Sequence, residues 1–299
     1  MKAFEFTTLF KPNSTLKLGL FSDIHFDSPD CDKETLTKHF DYCLKDNRYI
    51  LIGGDLFDAI LLKDMKRAVN HLLTAKDNQI NVKLEETAHF LDKYKDNIIF
   101  IGRGNHEESV LKYNGLDLLQ MLTTLLNAGK KTPIQYGNYA NFLRFSFTNK
   151  QKKSIAHYDI FQHHGAGGSA PITKGMLDFS RIAKGVNADL IVIGHKHNAI
   201  IDASDPIMYI DNNGQVIFKN RQLIQTPSYQ KGRTIDYNAN FAERFYSHTS
   251  LSGFGELNLT PAYSEGKPTI TSDLKLTVGN QLPIGNIISL KLQLRQRSR

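Results

Sequence analysis

Gly102-Arg103-Gly104-Asn105-His106-Glu107 follows the apolar run Ile98 to Ile101, which reads as a buried strand bounded by glycines. A strand that runs into a tight glycine turn delivers Asn105 and His106 to the end of a sheet. An Asn carbonyl oxygen can ligate a metal, and the neighbouring His can act as an acid or donate to a phosphate. By itself the hexapeptide is as readily an ordinary polar turn. It becomes an anchor because other short segments between residues 23 and 197 repeat the arrangement.

Working outward, Leu18 to Phe21 is a short apolar run ending at Ser22-Asp23-Ile24-His25. Tyr49 to Ile52 is stopped by Gly53-Gly54 and followed by Asp55-Leu56-Phe57-Asp58. Tyr158 to Gln162 runs into His163-His164-Gly165-Ala166-Gly167-Gly168, and Leu190 to Ile193 ends at Gly194-His195-Lys196-His197. Helical periodicity fills the intervals: Lys33 to Lys45, Asp64 to Ala75, Val82 to Tyr94, Gly115 to Ala128 closed by Gly129, and Gly175 to Lys184. Short apolar strands alternating with helices predict a layered α/β fold. The polar turns fall at the C-terminal ends of strands, where open α/β sheets gather their sites. Asp23 and His25 are expected to alternate along extended backbone with both side chains on one face, and His195 and His197 likewise.

Histidine nitrogens combined with carboxylate oxygens suit Mn, Fe, Zn or Ni, whereas an all-oxygen set would suit Mg or Ca. A lone Asp-x-His pair is more often structural; recurrence at several strand ends makes chance a poor explanation. No Ser-His-Asp or Cys-His arrangement competes with this reading.

The ordered set resembles the calcineurin-like metallophosphoesterase superfamily, whose signature is Asp-x-His, Gly-Asp-x-x-Asp, Gly-Asn-His-Asp/Glu, a later His, and Gly-His-x-His. The corresponding residues are Asp23 and His25; Gly54, Asp55 and Asp58; Gly104 to Glu107; His164; and Gly194, His195 and His197. The resemblance implies a four-layered αββα sandwich and a hydrolase with two divalent ions. Asp23, His25 and His197 would hold the first ion, Asn105, His164 and His195 the second, with Asp55 bridging. His106 would be the unligated histidine facing the phosphoryl group, oriented by Asp58. Of the adjacent His163 and His164, the resemblance favours His164, which directly precedes a Gly-x-Gly-Gly turn; His163 would pack behind it.

Residues 1–205 are expected to form the metallophosphoesterase core. Residues 206–299 are expected to continue the same domain as a strand-rich extension, with a hairpin around the Asp211-Asn212-Asn213-Gly214 turn and further strands at Gln222 to Gln225, Gly255 to Leu259, Leu274 to Val278 and Ile287 to Leu294. The formal charge of +7, from 37 Lys and Arg against 30 Asp and Glu, modestly favours a polyanionic partner. Tyr229, Lys231, Arg233, Tyr237, Phe241, Arg244, Phe245 and Tyr246 interleave rings and cations, a pattern suited to stacking and phosphate contact on single-stranded nucleic acid and equally to a sheet with surface cations. The later half looks similar to phage-type relatives of the double-strand-break repair nuclease, which implies a Mn-dependent phosphodiesterase acting on DNA. The alternatives are a phosphomonoesterase acting on nucleotides or phosphoprotein, for which Arg103 to Glu107 reads like the protein-phosphatase form of the motif, and a non-catalytic scaffold. Two cysteines, Cys31 and Cys43, give no disulfide framework, and no apolar run reaches the roughly 20 residues of a membrane span. The expected compartment is the cytoplasm, or the host cytoplasm for a phage protein.

Overall fold

The computed structural model describes residues 1–59, 79–167, 175–210, 214–231, 251–279 and 293–294. Two sheets form its centre. In the first, β2 (Leu16–Phe21), β3 (Tyr49–Ile52), β4 (Ile98–Ile101) and β5 (Gln135–Tyr136) run parallel, and β11 (Gly253–Ser264) and β12 (Lys267–Val278) complete the order β12-β11-β2-β3-β4-β5. In the second, β1 (Lys2–Leu9), β6 (Ala140–Thr148), β7 (Ser154–His163), β8 (Leu190–Ile193), β9 (Ile200–Ile210), β10 (Val216–Gln225) and β13 (Gln293–Leu294) follow the order β13-β1-β6-β7-β8-β10-β9. The middle strands β2, β3, β4 and β8 are almost wholly apolar, as strands covered on both faces must be.

Three apolar clusters fill three interlayer spaces. Leu18, Leu20, Leu51, Phe100, Phe145, Leu190, Ile224 and Leu257 pack between the sheets. Helices α1 (Lys33–Lys45), α2 (Gln79–Asp92), α3 (Asn105–Asn114) and α4 (Leu118–Asn127) cover the outer face of the first sheet around Phe21, Phe40, Ile52, Ile101 and Leu122. Helix α5 (Met176–Ala183) covers the second sheet through Phe179 against Phe161, Ile191 and Leu223. The order of layers is α, β, β, α, as the motif resemblance implies. Among the described residues no helix is long and apolar enough to cross a membrane.

Several sequence expectations change. The stretch from Asn105 is not an isolated turn but the first turn of α3: Gly104 serves as N-cap, and the Glu107 side chain accepts from its N–H, one half of a capping box. The segment from Gly115 divides, because Gly115 caps α3 in left-handed backbone at φ 69° and the Asp117 side chain then caps α4 by accepting from Gln120 N at 3.1 Å. Helix α2 begins three residues before the expected start, at Gln79. The predicted strands at 207–210, 215–218 and 222–225 belong to one long hairpin, β9 and β10, with a bulge near Arg221; the successive residues Leu223 and Ile224 pack on opposite faces of β10. The helix expected at 64–75 and most of the strand at 287–294 lie outside the described residues, as do residues 211–213 of the hairpin turn.

Strand β11, from the tail of the chain, lies antiparallel to β2, placing Gly255 opposite Leu20 and Leu257 opposite Leu18. Leu257 is wholly buried between the sheets. Leu257→Ala should therefore destabilise the whole protein by about 2–5 kcal/mol in one cooperative transition, measured by chemical denaturation; a local loss that leaves the main transition unmoved would contradict the packing.

Candidate metal centre

Every residue singled out for the centre, Asp23, His25, Asp55, Asp58, Asn105, His106, His164, His195 and His197, lies just past the C-terminal end of β2, β3, β4, β7 or β8. The side chains of Asp23, His25 and His197 offer ligand atoms within 4.8 Å of one another, as do those of Asp55, His164 and His195, and those of His25, Asp55 and His106. The expected extended alternation of Asp23 with His25 and of His195 with His197 does not occur. All four residues, and Asp55, adopt left-handed backbone with φ between 48° and 70°. The turns are held open to that shape by Asp23 N donating to Gly54 O and His25 N to Asp55 O, both at 3.0 Å. Left-handed backbone at a non-glycine residue costs energy and persists where surrounding contacts over-determine it.

Asp55 is the hub. Its Oδ2 lies 3.0 Å from His164 Nε2 and 3.9 Å from both His25 Nε2 and His106 Nε2, while its Oδ1 accepts from His106 N at 3.0 Å. Asn105 Oδ1 sits 3.0 Å from the same His164 Nε2. Asp23 takes the other half of the site: its carboxylate accepts from His195 N at 2.9 and 2.8 Å and from Ser22 Oγ, and faces His197 Nε2 at 3.4 Å. His25 Nδ1 contacts Asp58 Oδ1 at 3.2 Å, and His106 Nδ1 contacts the Asp58 backbone carbonyl at 2.5 Å, closer than the Asp58 carboxylate at 3.4 Å. His195 Nε2 lies 3.1 Å from Gly167 O. His163 turns away from this group, accepting from Gly165 N and packing edge-on against Tyr139, whereas His164 is fully buried inside it.

The electrostatics reflect crowded opposite charges. Burial pushes the Asp23 carboxyl up, yet the His197 hydrogen bond and the charge of His164 outweigh it and draw the pKa down to about 2. Asp55 is held well below the usual carboxylate range; burial opposes this, and the charges of His164 and His106 prevail. Burial lowers His164, but the Asp55 carboxylate more than reverses that and raises it to about 9. Burial, reinforced by the charge of His164, takes His195 down to about 4. Asp55 Oδ2 and Asn105 Oδ1 converge on His164 Nε2, and His25 Nε2 is buried without a hydrogen-bond partner. A site that stabilises positive charge between carboxylate, amide and imidazole donors fits a divalent cation of the Mn, Fe, Zn or Ni kind.

Sequence reasoning overlooked the residues that hold these turns together. Glu107, fully buried, accepts from Gly104 N at 2.9 Å and Asp55 N at 3.2 Å through Oε2, and from Phe57 N at 2.9 Å through Oε1, joining the β3 and β4 turns. The turns approach so closely that a Cβ on Gly104 would come within 2.0 Å of Asp55 Oδ1. Gln162 on β7 reaches across from the second sheet to Gly53 O at 2.7 Å, steadied by Asn141. The acid three residues after Gly104 is the sequence signal for the first contact, as half of a capping box; nothing local in sequence marks the second.

In metal-free protein, the folded-state pKa of His164 lies above its ordinary 6.5, so its contribution to stability is complete below about 6.5 and lost as pH rises through about 9. Glu107, raised to about 7 by burial and by the charge of Asp55, has the same sign at lower pH. Chelator-treated protein should lose Tm between pH 6.5 and 9.5 in calorimetry, and added Mn should remove most of that loss; a flat profile without metal would contradict the assignment.

The family model for calcineurin-like phosphoesterases matches residues 16–199. No curated protein sequence matches the chain. Among solved structures, the chain is similar to vacuolar protein sorting 29 from Cryptosporidium parvum, at 11% identity and a TM-score of 0.35, with 88% of this chain and 100% of that one covered. It is also similar to GAP50, the anchor in the inner membrane complex of Plasmodium, at 14% identity and a TM-score of 0.40, with coverage of 95% and 90%. The family match runs from the start of β2 to just past His197 and so takes in every turn of the centre: the chain belongs to the calcineurin-like phosphoesterases.

Proposed function

We propose that the chain is a two-metal phosphodiesterase acting on DNA, with Mn as its preferred ion. One observation carries the reading: Asp55, between the Asp23-His25-His197 group and the His164-His195 group, turns one carboxylate toward both. Asp23, His25 and His197 would hold one ion and Asn105, His164 and His195 the other, with Asp55 between them. Divalent ions held there would supply Lewis acidity and acidify a water toward neutral pH. His106, partly exposed beside the group, keeps a ring nitrogen for the phosphoryl oxygens or the leaving group, and the Asp58 carbonyl fixes its other nitrogen. His25 is oriented in the same manner by the Asp58 carboxylate, as a second carboxylate commonly orients a metal-binding imidazole.

The net charge of +7 and the ring-and-cation stretch from Tyr229 support a nucleic-acid substrate, although Arg233, Tyr237, Phe241, Arg244, Phe245 and Tyr246 lie outside the described residues. Tyr229 itself is buried: its hydroxyl bonds His39 Nδ1 and its N–H donates to Asp23 O, so it supports the first turn and is unavailable for stacking. We read residues 206–299 as part of the same domain, since β10 pairs with β8 and β11 with β2.

With Mn, the protein should hydrolyse bis-p-nitrophenyl phosphate faster than p-nitrophenyl phosphate, and should degrade DNA; the reverse ester preference would make it a phosphomonoesterase, and loss of both activities together with absence of bound metal would leave a scaffold. His106→Ala should lower kcat by about 10²–10⁴-fold while metal content survives, and Asp55→Ala should lose metal. Metal analysis of both variants checks the pair, and equal metal loss would overturn the role given to His106.

A further inference from the structure

Asp27 lies two residues past His25, outside every motif that defines the centre, yet its side chain is almost completely buried. Three donors converge on its carboxylate. Asp58 N donates to Oδ1 at 2.5 Å, Ala59 N to Oδ2 at 3.0 Å, and Lys83 Nζ on α2 to Oδ2 at 3.0 Å, with a further Lys83 contact to the Asp27 backbone carbonyl at 3.2 Å. Charge-assisted bonds from two successive backbone N–H groups fix the orientation of the peptides that carry them. One of those residues, Ala59, stands in left-handed backbone at φ 45°, a conformation that needs such support.

Asp58 is therefore held from two sides. Its N–H is taken by Asp27, and its carbonyl meets His106 Nδ1 at 2.5 Å. A carbonyl accepts and cannot donate, so Nδ1 of His106 keeps its proton, and Nε2, 3.9 Å from Asp55, is the nitrogen that would take up and release the second proton. The same residue's carboxylate meets His25 Nδ1. If the peptides of Asp58 and Ala59 moved, the imidazole of His106 would lose its fixed partner, while Asp55, whose N–H is held by Glu107, and the side chains of Asp23, His164, His195 and His197 would stay in place.

We propose that Asp27, clamped by Lys83, is a positioning residue that sets the tautomer and direction of the His106 imidazole through the Asp58 backbone. The proposal deepens the phosphoesterase reading and rests on it for the catalytic consequence, though not for the structural one.

The test has two arms on the full-length chain. In the first, Zn serves as a diamagnetic probe ion, and the His106 Nδ1–H proton is located by nitrogen-edited NMR as the resonance lost in His106→Ala. It should vanish or shift in Asp27→Asn, whose amide turns one acceptor into a donor facing a donor, and in Lys83→Met, and it should return in Lys83→Arg. In the second arm, kcat is compared for phenyl and p-nitrophenyl esters of the same phosphate. At saturating metal, Asp27→Asn should lose about tenfold or more in kcat on the phenyl ester and less on the nitrophenyl ester that needs little protonation, with KM unchanged. An unshifted resonance in a folded Asp27→Asn protein, or equal losses on both esters, would overturn the proposal. If Asp27→Asn does not fold, the comparison of Lys83→Met with Lys83→Arg decides in its place. A wild-type chain that cleaves neither ester would sink the phosphoesterase reading alone, since the NMR arm still judges Asp27.

Discussion

The constraint on which the rest of the structure depends is the burial of the Asp55 carboxylate among imidazoles. A carboxylate taken out of water costs several kcal/mol unless opposite charge and donors replace its hydration. Here the replacements come from separate turns: His164 after β7, His25 after β2, and His106 N and Nε2 after β4. Each can reach Asp55 only if its strand ends at the right height, so the need to satisfy one charge ties together both sheets. The same need accounts for the left-handed backbone at Asp23, His25, Asp55, His195 and His197, since an extended chain leaving the strand would carry these side chains past the centre.

Around this hub lies a layer of buried groups that hold the turns carrying Asp23, Asp55, Asn105 and His164. Glu107 binds backbone N–H groups of two turns at once, Gln162 bridges the sheets at Gly53, and Ser228 and Tyr229 brace the Asp23 carbonyl from the far end of the chain. Glycine is required where the turns touch: a side chain at Gly104 would strike Asp55, and one at Gly194 would strike Ser22 and Asp23. The rigidity of the centre thus comes from backbone-to-side-chain bonds in a water-poor interior, where unpaired polar groups are costly and paired ones fix a single geometry.

The strands leading to the centre were legible because each is a short apolar run stopped by a polar turn, and four of the five turns place a glycine next to Asp55, Asn105, His164 or His195. The helical reading of Lys33 to Lys45 held because Leu36, Phe40 and Cys43 fall on one buried stripe, started by the Asp32 cap. Reading failed where the deciding contact is made elsewhere. Asn105 looked like a turn because its helix is set by Glu107, whose other partners are on the β3 turn. Tyr229 read equally as a stacking ring or a sheet aromatic because nothing near it in sequence reveals His39, which lies across the fold.

Sequence alone determined the donor set and the alternation of strand with helix; the four-layer order was implied by the resemblance of its motifs to calcineurin-like phosphoesterases. Residue type and spacing carry the donor set of Asp, Asn and His, and apolar periodicity carries the alternation of strand and helix, both being local properties. Tertiary structure decided which of His163 and His164 faces Asp55, the left-handed backbone of the ligand turns, and the role of Asp27 with Lys83. Those depend on where a buried charge finds its partners, and partners far apart in the chain leave no trace in local pattern.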